Sequence, residues 1–273
     1  MGFCSLYLSD EVDTRFNQLG RNDDRGGSTR EGLDIFSRVG RPLGKAVPKV
    51  LDEQILEKAH RYVLFNCDAV LPYISQHVDF IEEQHSHSRK HEKKRLHSET
   101  FATWFSDYVE SLTESRDEQI MEDIKFLARG PTGVGIGYKR YITNGSRFQT
   151  KEWESKRKTQ NSGVVVSATT SSFSSTKDDN PISSDLTYYG VLKDIFELDY
   201  TGGRKVVLFE CDWVSKSKRL KKDDDGFTLA NFKNIKRHNE PFVLASQVKQ
   251  VFYVEDPTEK GWHVVVNPNS YED

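Results

Sequence analysis

The sequence predicts an α+β fold: an N-terminal helical segment followed by a small antiparallel β-rich module, for which an SH3-like barrel is the best-fitting architecture. Three observations predict it. Apolar residues recur three to four apart between Leu51 and Leu112, strict alternation begins near Tyr188, and a glycine- and serine-rich stretch separates the two patterns. The chain divides accordingly into a remnant of a preceding domain at 1–17, a linker at 18–49, a helical segment at 50–128, a connection at 129–185 and the β-rich module at 186–268.

In order, Phe3-Cys4-Ser5-Leu6-Tyr7-Leu8 has an apolar face but is too short to nucleate a fold alone, so it reads as the tail of an element that begins elsewhere. Gly20, Gly26, Gly27, Gly32, Gly40 and Gly44 interrupt a polar stretch with little periodicity, as a linker does. A first helix carries Leu51, Ile55, Ala59, Tyr62 and Val63 on one stripe, with Asp52 and Glu53 suited to the positive end of its dipole. In a second, with Tyr73, Ile74, Val78 and Ile81, Pro72 is tolerable only within the first turn. A third follows a basic run and aligns Phe101, Trp104, Phe105, Tyr108, Val109 and Leu112.

From Gly130 the composition shifts to Gly, Ser, Thr and Asn, and residues 167–185 read as a flexible boundary. Beyond it Val207, Phe209, Cys211 and Trp213 share one face of a strand, and Tyr188 to Tyr200 forms another. Thr201-Gly202-Gly203-Arg204 supplies the positive-φ positions of a hairpin between them. Val248 to Val254 and Trp262 to Val266 make a further pair, turned through Asp256 to Gly261. With Phe227-Thr228-Leu229 this gives about five short strands, the number that suggests a small barrel or open roll.

Formal net charge is −3, so the overall balance offers nothing to a polyanion or an anionic membrane, and any such contact must be local. Cys4, Cys67 and Cys211 are odd in number and far apart, which argues against a disulfide framework or a zinc site. No stretch is long and apolar enough for a membrane span, and the N-terminus lacks the pattern of a signal peptide.

The candidate chemistry is sparse. His85, His87, His91 and His97 crowd together, yet Arg89, Lys90, Lys93, Lys94 and Arg95 among them would repel a metal cation, so the segment reads as a solvated basic run. Five cations against Glu92 could still contact phosphate or serve as a nuclear import signal. The glycines from Gly130 to Gly137 lack the Gly-Lys-Ser/Thr that opens a P-loop helix. Cys67 and His60, seven apart on one helix, lie about 10 Å apart along its axis, too far for proton transfer. Asp194, Asp199 and Asp212 on adjacent strands offer a metal-dependent nuclease as an alternative function. Tyr188, Tyr189, Trp213, Tyr253 and Trp262 offer another, a cage for histone lysine in a chromatin reader, although small barrels also need such rings as core.

The segments 59–68 (AHRYVLFNCD), 159–164 (TQNSGV), 188–191 (YYGV), 197–200 (ELDY), 209–214 (FECDWV), 225–229 (DGFTL), 241–245 (PFVLA) and 250–254 (QVFYV) resemble plant CACTA-class, En/Spm-type transposon proteins. They span nearly the whole chain in the expected order. Ala69 departs from the pattern, which has an acidic residue after Asn-Cys-Asp. The resemblance implies that Tyr188 to Val266 is the family's C-terminal domain of unknown function, of a size that can fold alone. It also implies that the RNase H-like transposase core, with its acidic metal ligands, lies further N-terminal and has no counterpart here. No catalytic, cofactor or metal residue carries over. The expected function is that of a non-catalytic, nuclear accessory protein binding transposon DNA or other transposon-encoded or chromatin proteins, with no small-molecule substrate and no membrane. The candidate binding surface comprises Arg89, Lys90, Lys93, Lys94, Arg95, Trp213, Tyr253 and Trp262.

Overall fold

The structure, a computed structural model, describes residues 13–15, 32–37, 39–115, 120–172, 182–214, 219–233, 235 and 240–268. Most of the expected N-terminal remnant and the first part of the expected linker lie outside these residues.

Helix α1 (Glu53–Phe65) starts where the Asp52 carboxylate accepts a hydrogen bond from the Gln54 amide at 3.0 Å, capping an otherwise unpaired donor. In α2 (Leu71–Gln84) Pro72 falls in the first turn, as its missing amide requires. Helix α3 (Lys90–Ser115) begins inside the basic run rather than after it, and α4 (Glu122–Arg129) follows. The long charged side chains of the run are good helix formers, so charge marks solvent exposure there and not a break in the helix.

Fifteen strands are described: β1 (Asp13–Arg15), β2 (Arg41–Pro42), β3 (Val47–Val50), β4 (Val134–Tyr138), β5 (Arg140–Thr143), β6 (Ser146–Gln149), β7 (Gly163–Ser172), β8 (Ile182–Tyr200), β9 (Arg204–Trp213), β10 (Leu220–Lys222), β11 (Thr228–Asn231), β12 (Phe242–Leu244), β13 (Lys249–Gln250), β14 (Phe252–Glu255) and β15 (Trp262–Val266), with one helical turn, α5 (Lys151–Glu154), after β6. The spine is β8. Along one edge it pairs antiparallel with β7 and then β4, and along the other with β9. β3, β12, β13 and β1 complete an eight-stranded sheet.

Both faces of the β8–β9 hairpin are covered. Phe196, Leu198, Val206 and Leu208, with Phe242 and Leu244 of β12, pack against Val63, Phe65, Phe101, Phe105 and Leu127 of the helices. On the other face Phe209, Cys211 and Trp213 meet Tyr141 and Phe148 from the β5–β6 hairpin, with Phe148 and Phe209 edge to face at 5.3 Å. A bulge between Leu192 and Asp194 keeps Leu192 and Ile195 on that same face although they are three apart. The turn from β8 to β9 is the expected one: Gly202 and Gly203 both sit at φ 75°, which side chains with a Cβ rarely adopt.

The fold is thus mixed α+β, with helices followed by antiparallel sheets, but no barrel closes among the described residues. The strands expected to form one are shared between two sheets. β8 and β9 belong to the large sheet, while β11, β14 and β15 form a separate four-stranded sheet in the order β10-β11-β15-β14. β8 is 19 residues long and takes β7 and β4 along one edge and β9 along residues 190–200 of the other, which commits the β8–β9 hairpin to the large sheet. Residues 129–172, read as connection, supply β4 to β7, and β3 lies at the end of the expected linker. Of the flexible boundary expected at 167–185, residues 167–172 and 182–185 are paired strand and the remainder lies outside the described residues. Val164, Val165 and Val166 with Thr169 and Thr170 are β-branched, and this propensity outweighs the low-complexity composition.

These packings predict that a fragment of residues 186–268 will not fold alone. It would expose Phe196, Leu198, Leu208, Phe242 and Leu244, at about 2 kcal/mol each, a total comparable with the whole stability of a domain. Circular dichroism should show no cooperative thermal transition for the fragment and a clear one for residues 39–268; a cooperative transition in the shorter piece would refute the prediction.

Candidate functional site

At the corner between α2 and α3 the chain turns through residues 85–88, closed by hydrogen bonds from the His85 amide to the Ile81 carbonyl and from the Ser88 amide to the His85 carbonyl, both 2.9 Å. Arg89, Lys90, Lys94 and Arg95 follow at once and are exposed. None of the four makes an ion pair among the described residues, whereas Lys93 pairs with Glu82 across the corner. The amides of the first helical turns already place partial positive charge there, so these cations raise the local potential at a cost to the helix. Glu92 is the acidic residue in that turn. His87 and His91 are exposed beside them, and no group of three or more metal-ligating side chains occurs among the described residues.

Beneath this corner lies a feature that the sequence reading missed. His77 of α2 and His97 of α3 are 1% and 6% exposed, and their Nδ1 atoms are 2.7 Å apart. One ring must donate and the other accept, so the two cannot both be protonated at Nδ1. Phe65, Phe80, Phe101 and Trp104 surround the pair, and Thr100 Oγ1 lies 3.3 Å from His77 Nε2. Burial lowers His77 from the ordinary histidine value to about 4, and burial together with the His77 charge lowers His97 to about 3. A signal was present: Ile74, His77 and Ile81 share one helical stripe, so His77 had to face the core.

His60 is likewise buried, its Nδ1 3.1 Å from the Tyr200 hydroxyl, and burial lowers it to about 4. Cys67 lies two residues beyond the end of α1, not on it as expected; it is buried and its thiol is pushed up to about 11, chiefly by desolvation, which leaves it a small apolar residue at neutral pH. Arg61 of α1 donates to Glu240 at 2.6 Å, with both side chains largely buried, and so ties the helices to the segment preceding β12. Burial raises the Glu240 carboxyl despite the nearby guanidinium.

The other expected site residues are dispersed. Trp213 is 4% exposed, with its ring against Gly190, where an added Cβ would stand 2.7 Å away, so Trp213 is core. Tyr253 packs against β7 and donates its hydroxyl to the Gly190 carbonyl at 2.8 Å. Trp262 on β15 is half-buried, with Lys221 Nζ 4.6 Å above its ring. These rings lie in three different settings and form no common cage.

Asp194, Asp199 and Asp212 do not converge either. Asp194 and Asp199 are five residues apart on β8, about 17 Å at strand rise, and Asp212 pairs with Val191 beyond the bulge. Lys49 holds Asp194 in an ion pair. Two-metal chemistry needs carboxylates a few ångströms apart, which this register does not provide.

Residues 196–265 match a family described as a domain of unknown function (DUF4216). No curated protein and no solved structure matches the chain. The matched region contains Trp213, Tyr253 and Trp262, while the basic corner lies outside it. The match begins within β8, so it covers only part of the packed sheet.

The buried histidines set a pH dependence. Their folded values lie below the ordinary one, so the stability they contribute is complete above about pH 6.5 and is lost as pH falls towards 4 and 3. The Tm should fall by about 5–10 °C between pH 7.5 and pH 5. Replacing the pair together, His77→Leu with His97→Leu, should remove most of that fall and leave the part due to His60. An unchanged pH profile in the double variant would show that the pair does not titrate in this way.

Proposed function

We propose that this chain is a non-catalytic interaction protein of CACTA-class transposon origin that binds nucleic acid through the corner between α2 and α3. One observation carries the proposal: Arg89, Lys90, Lys94 and Arg95 stand exposed and, among the described residues, unpaired at the positive end of a 26-residue helix, in a chain whose formal net charge is −3. Such a local excess has no role in packing and weakens the helix it sits on. A phosphate backbone would offset that cost by neutralising the cations and releasing condensed counterions.

The transposon origin rests on the ordered motif set and on the match of residues 196–265 to a domain of unknown function. The natural partner is transposon DNA, which places the protein in the nucleus. Among the described residues no helix is long and apolar enough to cross a membrane. The contacts go to phosphates, so binding should be insensitive to sequence and steep in salt.

Fluorescence anisotropy with a labelled duplex tests the proposal. Binding should appear at 50 mM salt and weaken with a slope no steeper than about −4 in log K against log salt, about 0.9 for each of four contacted phosphates. Replacing Arg89, Lys90, Lys94 and Arg95 by Gln should abolish binding while the circular dichroism spectrum is unchanged. Absence of binding at low salt, or equal binding by the quadruple variant, would overturn it.

A further inference from the structure

A second site lies where the four-stranded sheet meets the middle of β8 and the end of β9. It is a cleft of about 530 Å3, bordered by Gln160, Val191, Asp212, Phe232, Tyr253 and His263. The volume falls within the range of small-ligand sites. Its aromatic wall is pre-built: Phe232 meets Tyr253 edge to face at 4.5 Å and His263 at 5.4 Å. Gln160 fixes that wall by bonding the Tyr253 backbone twice, donating to its carbonyl at 3.0 Å and accepting from its amide at 2.6 Å. The Tyr253 hydroxyl is occupied by the Gly190 carbonyl, so the cleft is offered the ring and not the phenol.

One polar group on this wall is left open. The Asp212 carboxylate is half-buried and makes no hydrogen bond or ion pair among the described residues. The Nδ1 of His263 is buried, so His263 offers the cleft the rest of its ring and not that nitrogen. Lys151, the cation at the rim, is already held by Glu154 at 2.9 Å and does not neutralise Asp212. An unpaired carboxylate beside two aromatic rings favours a flat organic cation with several donors.

We infer that the cleft receives the guanidinium of an arginine side chain presented by a partner peptide, with Asp212 as its carboxylate acceptor and Phe232 and Tyr253 as its stacking wall. A guanidinium carries five donors in a plane and is weakly hydrated. It can place two parallel N–H groups on Asp212 while lying against a ring. An ammonium has no plane to stack and a stronger hydration shell to lose. The cleft is larger than one side chain, which leaves room for the flanking peptide. Its residues are distinct from the basic corner, so the two sites are separable.

Isothermal titration with the peptide Ac-Gly-Arg-Gly-NH2 and its citrulline counterpart tests the assignment, citrulline being the uncharged isostere. The arginine peptide should bind at least tenfold more tightly than the citrulline peptide. Asp212→Asn should lose at least tenfold in affinity and Phe232→Leu severalfold, while Asp224→Asn, an exposed acidic control, and the quadruple Gln variant of the basic corner should bind as the native chain does. Equal binding of the two peptides, no binding at millimolar peptide, or full affinity in Asp212→Asn would each overturn the inference. The citrulline comparison uses the native chain, so it decides the question even if a variant fails to fold.

Discussion

The β8–β9 hairpin is apolar on both faces, and the rest of the molecule is arranged to cover it. A sheet strand in water usually has one solvated face, but here alternate residues of β9 enter two separate cores, Val206 and Leu208 on the helical side and Phe209, Cys211 and Trp213 on the other. Covering the first face requires α1, α3 and α4; covering the second requires the β5–β6 hairpin. Leaving either face open would place several large apolar side chains in water, so helices and sheets are interdependent.

This dependence explains why the matched domain and the packed unit differ. The family region starts at residue 196, within a strand whose partners β7 and β4 precede it in the chain. Buried ions reinforce the same joints. Arg61 and Glu240 link α1 to the start of β12, and Arg204 donates to Asp123 at 2.6 Å, linking the β8–β9 turn to α4. Each pair joins a residue inside the matched region to one outside it. Removing one member would leave the other charge buried, which is more costly than the pair itself is stabilising.

Much of this was legible in the residues. The helical stripes, Pro72 in a first turn, the Gly202–Gly203 hairpin and the pairing of β14 with β15 all follow from local chemistry that tertiary structure does not override. The barrel did not follow, because strand count says nothing about which strands share a sheet. The β5–β6 hairpin was written plainly in Asn144-Gly145, with φ of 48° and 69°, but the glycine- and serine-rich composition around it masked the signal. The basic corner was visible as charge. The cleft was not, since Gln160, Asp212, Phe232 and His263 come together only through long-range pairing, and Asp212 read in isolation as a solvent-facing strand residue.

Native-state hydrogen exchange tests the interdependence of helices and sheet most directly. The amides of Val206 and Leu208 in β9 and those of Phe101 and Phe105 in α3 should exchange through one opening, with the same free energy and the same dependence on denaturant. If the α3 amides exchange through a separate, lower-energy opening while β9 stays protected, the helices are a detachable layer and the account fails.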